Sequence, residues 1–228
     1  MDLRGLIEAL RRARELAVVT RAVAPEFEAA AVIHALAGRP VLFERMAGSG
    51  YQVVANLLAR REVVALALGV PQDQVLARLV EACREPSAPA VVSNAPCQEV
   101  VEPDVNLESL PILTHSLRDG GPYVTAGVAI IKDPDSGPNA AFHRLQRLDR
   151  RRFAVRLVEG RGTHTAWQKT AGDLPVAVCL GAPPQVLLAA AMSPPAGVDE
   201  LGISDRLAPT PLVPCLSVPL LVPAESEI

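Results

Sequence analysis

Leu3, Leu6, Ile7 and Leu10 fall at i, i+3, i+4 and i+7, the spacing that lines one face of a helix. With Asp2 as N-cap, the pattern predicts an amphipathic helix to about residue 16. Residues 17–23 read as a strand. Pro25 and Glu26 open a second helix, which runs through Glu28, Ile33 and Leu36 and stops at Gly38. Residues 41–44 read as a short strand and 48–50 as a turn. Residues 56–68 and 71–84 predict two further helices, parted by Gly69. This first stretch is a mixed α/β unit.

The pattern changes at Glu85. EPSAPAVVSNAPCQEVVEPDVNLESLP is proline-rich and lacks periodicity, so it reads as a linker or an extended crossing segment. Residues 123–132 are rich in β-branched side chains and predict a strand. Asp133-Pro134-Asp135-Ser136-Gly137 is a turn, and residues 139–148 return as a second strand. Residues 174–180 predict a strand, and Pro183 and Pro184 start a helix ending near Met192. Short apolar runs cut by prolines follow. The expected class is α+β, with an N-terminal α/β domain and linker over residues 1–104 and a β-rich domain over 105–228.

Of the 228 residues, 50% are hydrophobic and 21% charged, which is the composition of a folded chain. The net charge of −3 argues against a nucleic-acid partner. Aromatics are only 3%, so the core must be aliphatic. The N-terminus carries charges throughout and has no signal-peptide apolar core. Residues 174–192 are apolar enough to suggest a membrane span. Pro175, Gly181, Pro183, Pro184 and Gln185 make them strand, turn and helix instead. Cys83, Cys97, Cys179 and Cys215 show no CxxC spacing and read as reduced thiols. A soluble, cytoplasmic protein is expected.

Chemistry could sit on a few residues. Asn139 and Arg144 flank one predicted strand, and the Arg fork suits a carboxylate or phosphate. Five residues apart, they lie on opposite faces unless the strand bends. From spacing alone, a turn Asn and a surface Arg is the simpler reading. His164 opens a helix in GRGTHTAW, and Glu200 begins one in GVDELG. Asn, His and carboxylate together would suit manganese or magnesium, although such spacing makes no motif. Glu225 and Glu227 would share a strand face, where one carboxyl gains a raised pKa. Arg150-Arg151-Arg152 reads as a solvated turn. His115 and His143 have no partner legible in the sequence. There is no P-loop, GxGxxG, GxSxG or HExxH.

LRGLIEALRRAREL, RPVLFERMAGS, LPILTHSLRDGGPYVTAGVAIIKDPDSGPNAAFHRLQRLDRRR, LPVAVCLGAPP, AMSPPAGVDE and VPAESEI occur in one order. In order and spacing they resemble the UbiD family of prenylated-FMN-dependent decarboxylases, across essentially the whole chain. The resemblance implies an N-terminal α/β domain followed by a split β-barrel of the FMN-binding type, incomplete at residue 228. The family's C-terminal α/β domain, through which homo-oligomers would form, lies outside this sequence. The chain therefore reads as the N-terminal half of a longer protein.

By position, the resemblance assigns Asn139, His164 and Glu200 to a manganese (or magnesium) ion that meets the phosphate of prenylated FMN. It assigns backbone oxygens near Ala189, Ala190 and Met192, with Glu200, to potassium. Phe142 matches a flavin contact. Arg144 matches the arginine beside cofactor and substrate carboxylate, and Glu227 the first glutamate of a catalytic Arg-Glu-Glu network. Glu225, Ser193 and Thr163 depart from common family residues. The implied activity is reversible, non-oxidative decarboxylation of a small aromatic or α,β-unsaturated carboxylic acid, with a flavin prenyltransferase supplying the cofactor. The alternatives are a non-catalytic short paralogue, a subunit of a multi-component carboxylase, or an FMN-dependent reductase-like barrel.

Overall fold

The computed structural model describes residues 1–226. It opens with α1 (Leu3–Arg12), whose Leu6 and Leu10 are buried, and Asp2 caps it by accepting from the Gly5 N–H at 2.8 Å. The helix ends earlier than its pattern predicts. Arg14 takes a positive φ of 60°, which turns the chain toward β1 (Ala17–Val19). α2 (Glu28–Ala35) starts later than Pro25, because residues 26 and 27 pair with Thr114 instead. β2 (Val41–Phe43) is wholly buried and pairs parallel with β1 and antiparallel with β3 (Val53–Ala55), a strand absent from the sequence reading.

α3 begins at Arg61, not at residue 56, and runs to Leu68, where Gly69 closes it in a left-handed conformation. α4 (Val75–Arg84) follows a 3-10 turn. Residues 85–95 cross the molecule as irregular chain and end in a 3-10 turn at Pro96–Gln98. Ser87 donates its N–H to Gly202, Val92 to Leu212 and Cys97 to Ala224. The reading as a crossing segment holds.

The second half contains β4 (Tyr123–Val124), β5 (Val128–Asp133), β6 (Gly137–Phe142), β7 (Leu145–Arg147) and β8 (Phe153–Val155). α5 (Gly162–Lys169), β9 (Ala177–Cys179), α6 (Pro184–Ala190), α7 (Glu200–Leu207), β10 (Leu212–Pro214) and β11 (Leu221–Pro223) complete it. Each long predicted strand is broken in two. Residues 123–132 divide before Gly127, where a Cβ would meet Val124 at 2.9 Å and Val178 at 3.2 Å. Residues 139–148 divide at His143 and Arg144. β6 pairs with β5 and β7 pairs with β4, so the chain changes sheets there. Three small sheets result, β6-β5-β9, β4-β7-β8 and β10-β11, and among the described residues none closes into a barrel. The mixed α and β class stands.

The main aliphatic core joins Val128, Ile130, Ala140, Cys179, Val186 and Val222. A second cluster wedges Ala82 of α4 against Ala189 and the fully buried Ile203. Arg78 of α4 also donates to the Arg206 carbonyl at 2.6 Å, closing the end of α7. This wedge fixes where α7 begins, and therefore where Glu200 sits. Residues 174–192 form strand, turn and helix as expected, and among the described residues no single helix is long and apolar enough to cross a membrane.

The β5–β6 turn is locked by Asp133. Its carboxylate accepts the N–H groups of Asp135 (2.8 Å) and Ser136 (2.9 Å) and pairs with Lys169 (3.0 Å). The Ser136 N–H chiefly, with the Asp135 N–H and Lys169, holds its carboxyl below the usual value of 3.8, against the cost of burial. A depressed folded-state pKa contributes stability that is present above pH 3.8 and is lost as pH falls through the lower folded value. Asp133→Asn is therefore expected to be less stable at neutral pH and to lose less on acidification. Thermal midpoints between about pH 7 and pH 2 check this; parallel curves for both proteins would contradict it.

Candidate functional site

Asn139 and Ala140 lie on β6, opposite Ile131 and Ile130 of β5. Glu200 is the first residue of α7, only 4% exposed, behind the N-cap Asp199. Its carboxylate receives the Asn139 amide at 3.0 Å and the Ala140 N–H at 3.0 Å. Among the described residues no Lys, Arg or His pairs with it. Burial pushes the Glu200 carboxyl up, and the neighbouring Asp199 adds to this, against the Ala140 and Asn139 hydrogen bonds. Burial raises Asp199 too. Asp199 is committed to the α7 cap, accepting the Leu201 N–H at 2.8 Å, which leaves Glu200 as the buried carboxylate without a cationic partner among the described residues.

α5 carries the third assigned residue, His164. A Cβ at Gly162 would lie 3.4 Å from Asn139 Oδ1, so the start of α5 abuts the Asn139 amide. His164 lies two residues further, half-buried, its ring centroid 6.2 Å from that of Trp167 and inclined to it by 59°. Its Nδ1 accepts the Gly160 N–H at 3.3 Å. Among the described residues no three His, Cys, Asp or Glu converge as a metal cluster, and of the three assigned ligands only His164 and Glu200 are of those types. Asn139 Oδ1 and the Glu200 carboxylate are oxygens of the kind that suits a hard divalent cation, and His164 stands on the helix whose start abuts Asn139. The potassium assignment falls at the end of α6. Ala189 and Ala190 are buried, Met192 is half-buried, and the Ala189 carbonyl accepts the Met192 N–H at 3.0 Å.

Arg144 stands in the break between β6 and β7. The bend that its spacing from Asn139 requires is supplied by the change of sheets. Its guanidinium lies over the Tyr123 ring, 5.8 Å from the centroid, and no carboxylate pairs with it among the described residues. Phe142 ends β6 and is 37% exposed. His143 reaches Thr163 Oγ1 at 2.8 Å, and burial lowers its pKa. Sequence reasoning left His143 without a partner and missed Tyr123. The sequence offered no signal for either, since both lie within predicted strands, residues 123–132 and 139–148. Glu225 is exposed. Glu227 lies outside the described residues. A cleft of about 200 Å³ opens elsewhere, between Asp2–Arg4, Cys97, Gly181 and Ser226, and none of Asn139, Arg144, His164 or Glu200 lines it.

Family models for the 3-octaprenyl-4-hydroxybenzoate carboxy-lyase N-terminal domain and Rift-related domain match residues 7–83 and 90–228. The chain belongs to the UbiD family. It is 36% identical over 219 residues to an anhydromevalonate phosphate decarboxylase of Methanosarcina mazei, covering 94% of this chain and 51% of that protein. The enzyme of that name from Methanothermobacter thermautotrophicus is 35% identical over 215 residues, covering 92% and 50%. The chain thus spans about half the length of these relatives. Its fold matches the UbiD-class enzyme HmfF from Pelotomaculum thermopropionicum in complex with prFMN. There the TM-score is 0.94 at 36% identity, over 99% of this chain and 55% of that one. The 3,4-dihydroxybenzoic acid decarboxylase AroY of Klebsiella pneumoniae follows at 0.91 and 28%, over 99% and 52%. The UbiD resemblance carried by the sequence blocks is borne out.

Proposed function

We propose that this UbiD-family chain forms the cofactor-binding part of a reversible, non-oxidative decarboxylase that uses prenylated FMN. The observation that carries the reading is the buried Glu200 carboxylate of α7, gripped without a countercharge among the described residues by Asn139 and Ala140 of β6, the strand that leads into Arg144. Bound prenylated FMN supplies the electron sink for loss of carbon dioxide. Asn139, His164 and Glu200 would hold a manganese or magnesium ion, and the carbonyls at Ala189, Ala190 and Met192, with Glu200, a potassium ion. Arg144 orients the substrate carboxylate with its planar fork. Phe142 would line the flavin, and Glu227 would supply the proton to the carbon left behind. Cytoplasmic location, homo-oligomers and supply of the cofactor by a flavin prenyltransferase belong to the same proposal.

The substrate is a small carboxylic acid, aromatic or α,β-unsaturated. The relatives named for anhydromevalonate phosphate favour a phosphorylated acid within this class. The test is to supply the chain with prenylated FMN and Mn²⁺ and follow release of carbon dioxide from both kinds of acid. Flavin retained with Mn²⁺ and lost with chelator supports the site. Flavin that binds equally in chelator removes the metal from it.

Tyr123→Leu takes away the surface on which Arg144 rests. An exposed cation–π contact is worth about 0.5–1 kcal/mol, so affinity for the acid should fall by about 2- to 5-fold. Quenching of flavin fluorescence by the acid measures it, and an unchanged affinity would leave Tyr123 without a role.

A further inference from the structure

α5 carries His164, yet little apolar packing holds it. Only Ala166 is buried, Trp167 is 50% exposed, and no side chain caps the N-terminus. Polar contacts fix it at both ends. At the start, Thr163 Oγ1 meets His143 at 2.8 Å. At the end, Lys169 Nζ reaches Asp133 at 3.0 Å and Asp135 at 2.9 Å. Both clasps grip the same β-hairpin. Asp133 stands at its turn, itself held by two backbone N–H groups, and His143 follows its last residue, Phe142. Asn139 lies on β6 between them. We infer that Thr163–His143 and Lys169–Asp133 are positioning pairs that set the pose of His164 against Asn139 and Glu200. The inference rests on the reading of those three residues as metal ligands.

The physical case is leverage. A helix docked through one alanine can slide or roll at small cost, because little apolar surface is exposed by the movement. A ligand on such a helix is only as well placed as its tethers. Partners behind metal ligands commonly matter 10- to 100-fold in affinity (about that range), although their own contacts are weak. Neither pair touches the proposed ion, so their effect must pass through the helix.

Trp167 is the chain's single tryptophan and sits three residues after His164, so its emission reports α5 with no metal present. Thr163→Val and Lys169→Met are expected to raise acrylamide quenching of Trp167 and lower its anisotropy. Each should weaken Mn²⁺ binding by about 10- to 100-fold, read from the free-ion electron paramagnetic resonance signal. The thermal midpoint should change little, because the Lys169 pair is partly exposed. Thr163→Ser and Lys169→Arg should restore both readouts. Folded variants with wild-type Mn²⁺ affinity would overturn the inference, whether or not Trp167 responds. If the wild-type chain takes up no Mn²⁺, the metal reading falls and the inference with it. If wild type and variants bind alike, the inference falls alone.

Discussion

Glu200→Gln is expected to lose Mn²⁺ binding by on the order of 100-fold or more, while the metal-free chain stays as stable as wild type. The two halves of that result have separate causes. For the metal, the substitution deletes the one buried charge of the donor set. Outer partners of metal ligands already matter by up to about 100-fold, so a charged direct ligand should exceed that. For the metal-free fold, the same charge is a cost. The carboxylate is 4% exposed with only N–H partners. A glutamine oxygen still accepts from Ala140, and a flipped Asn139 amide can accept from the new NH₂ group. Glu200→Leu separates the effects further. It strands both donors, and each buried group left unpaired costs about 1–3 kcal/mol. Mn²⁺ titration followed by electron paramagnetic resonance, with urea unfolding of the metal-free proteins, reads both. Wild-type Mn²⁺ affinity in Glu200→Gln would remove Glu200 from the site.

That experiment turns on a contact that periodicity does not reveal. Asn139 and Glu200 are 61 residues apart, and each alone reads as an ordinary strand or helix-start residue. Only the ordered family blocks joined them. Local features were more legible. The apolar spacing of α1 and its Asp2 cap are both realised, as are the Asp133 turn, the helix after Pro183 and the helix start at Glu200. The errors fall where the backbone leaves regular geometry for a distant partner. The apolar pattern places Asn56 at the start of a helix. It adopts φ 60° instead and donates its side-chain amide to Ile33 and Arg39, ending β3. Asparagine tolerates that conformation, which was the available clue. Phe27 at φ 61° has no such excuse, and the pairing of residues 26 and 27 with Thr114 explains it. The change of sheets at His143 is of the same kind. Two strands that differ only in their partners look like one strand in a single sequence.

That change of sheets is also why Arg144 carries the second large effect. Arg144→Met is expected to weaken binding of the acid substrate by about 10- to 100-fold, since a hydrogen bond to a charged group contributes about 1.5–3 kcal/mol. Arg144→Lys should recover only part of this. A lysine keeps the charge but lacks the fork that holds both carboxylate oxygens, and it stacks less well on Tyr123. The orientation supplied by the fork should appear in turnover more than in binding. The rate of the lysine variant is expected to fall by on the order of 100-fold or more, the usual range for a lost preorganised donor. Flavin absorbance of the purified variants decides between the two roles the position allows. Flavin retained at wild-type level with acid binding lost assigns Arg144 to the substrate. Flavin lost in both variants would assign it to the cofactor, since a guanidinium beside Tyr123 can equally meet a phosphate. Full acid affinity in Arg144→Met would leave the carboxylate to a different group, and the unpaired charge at the β6–β7 break would then need another explanation.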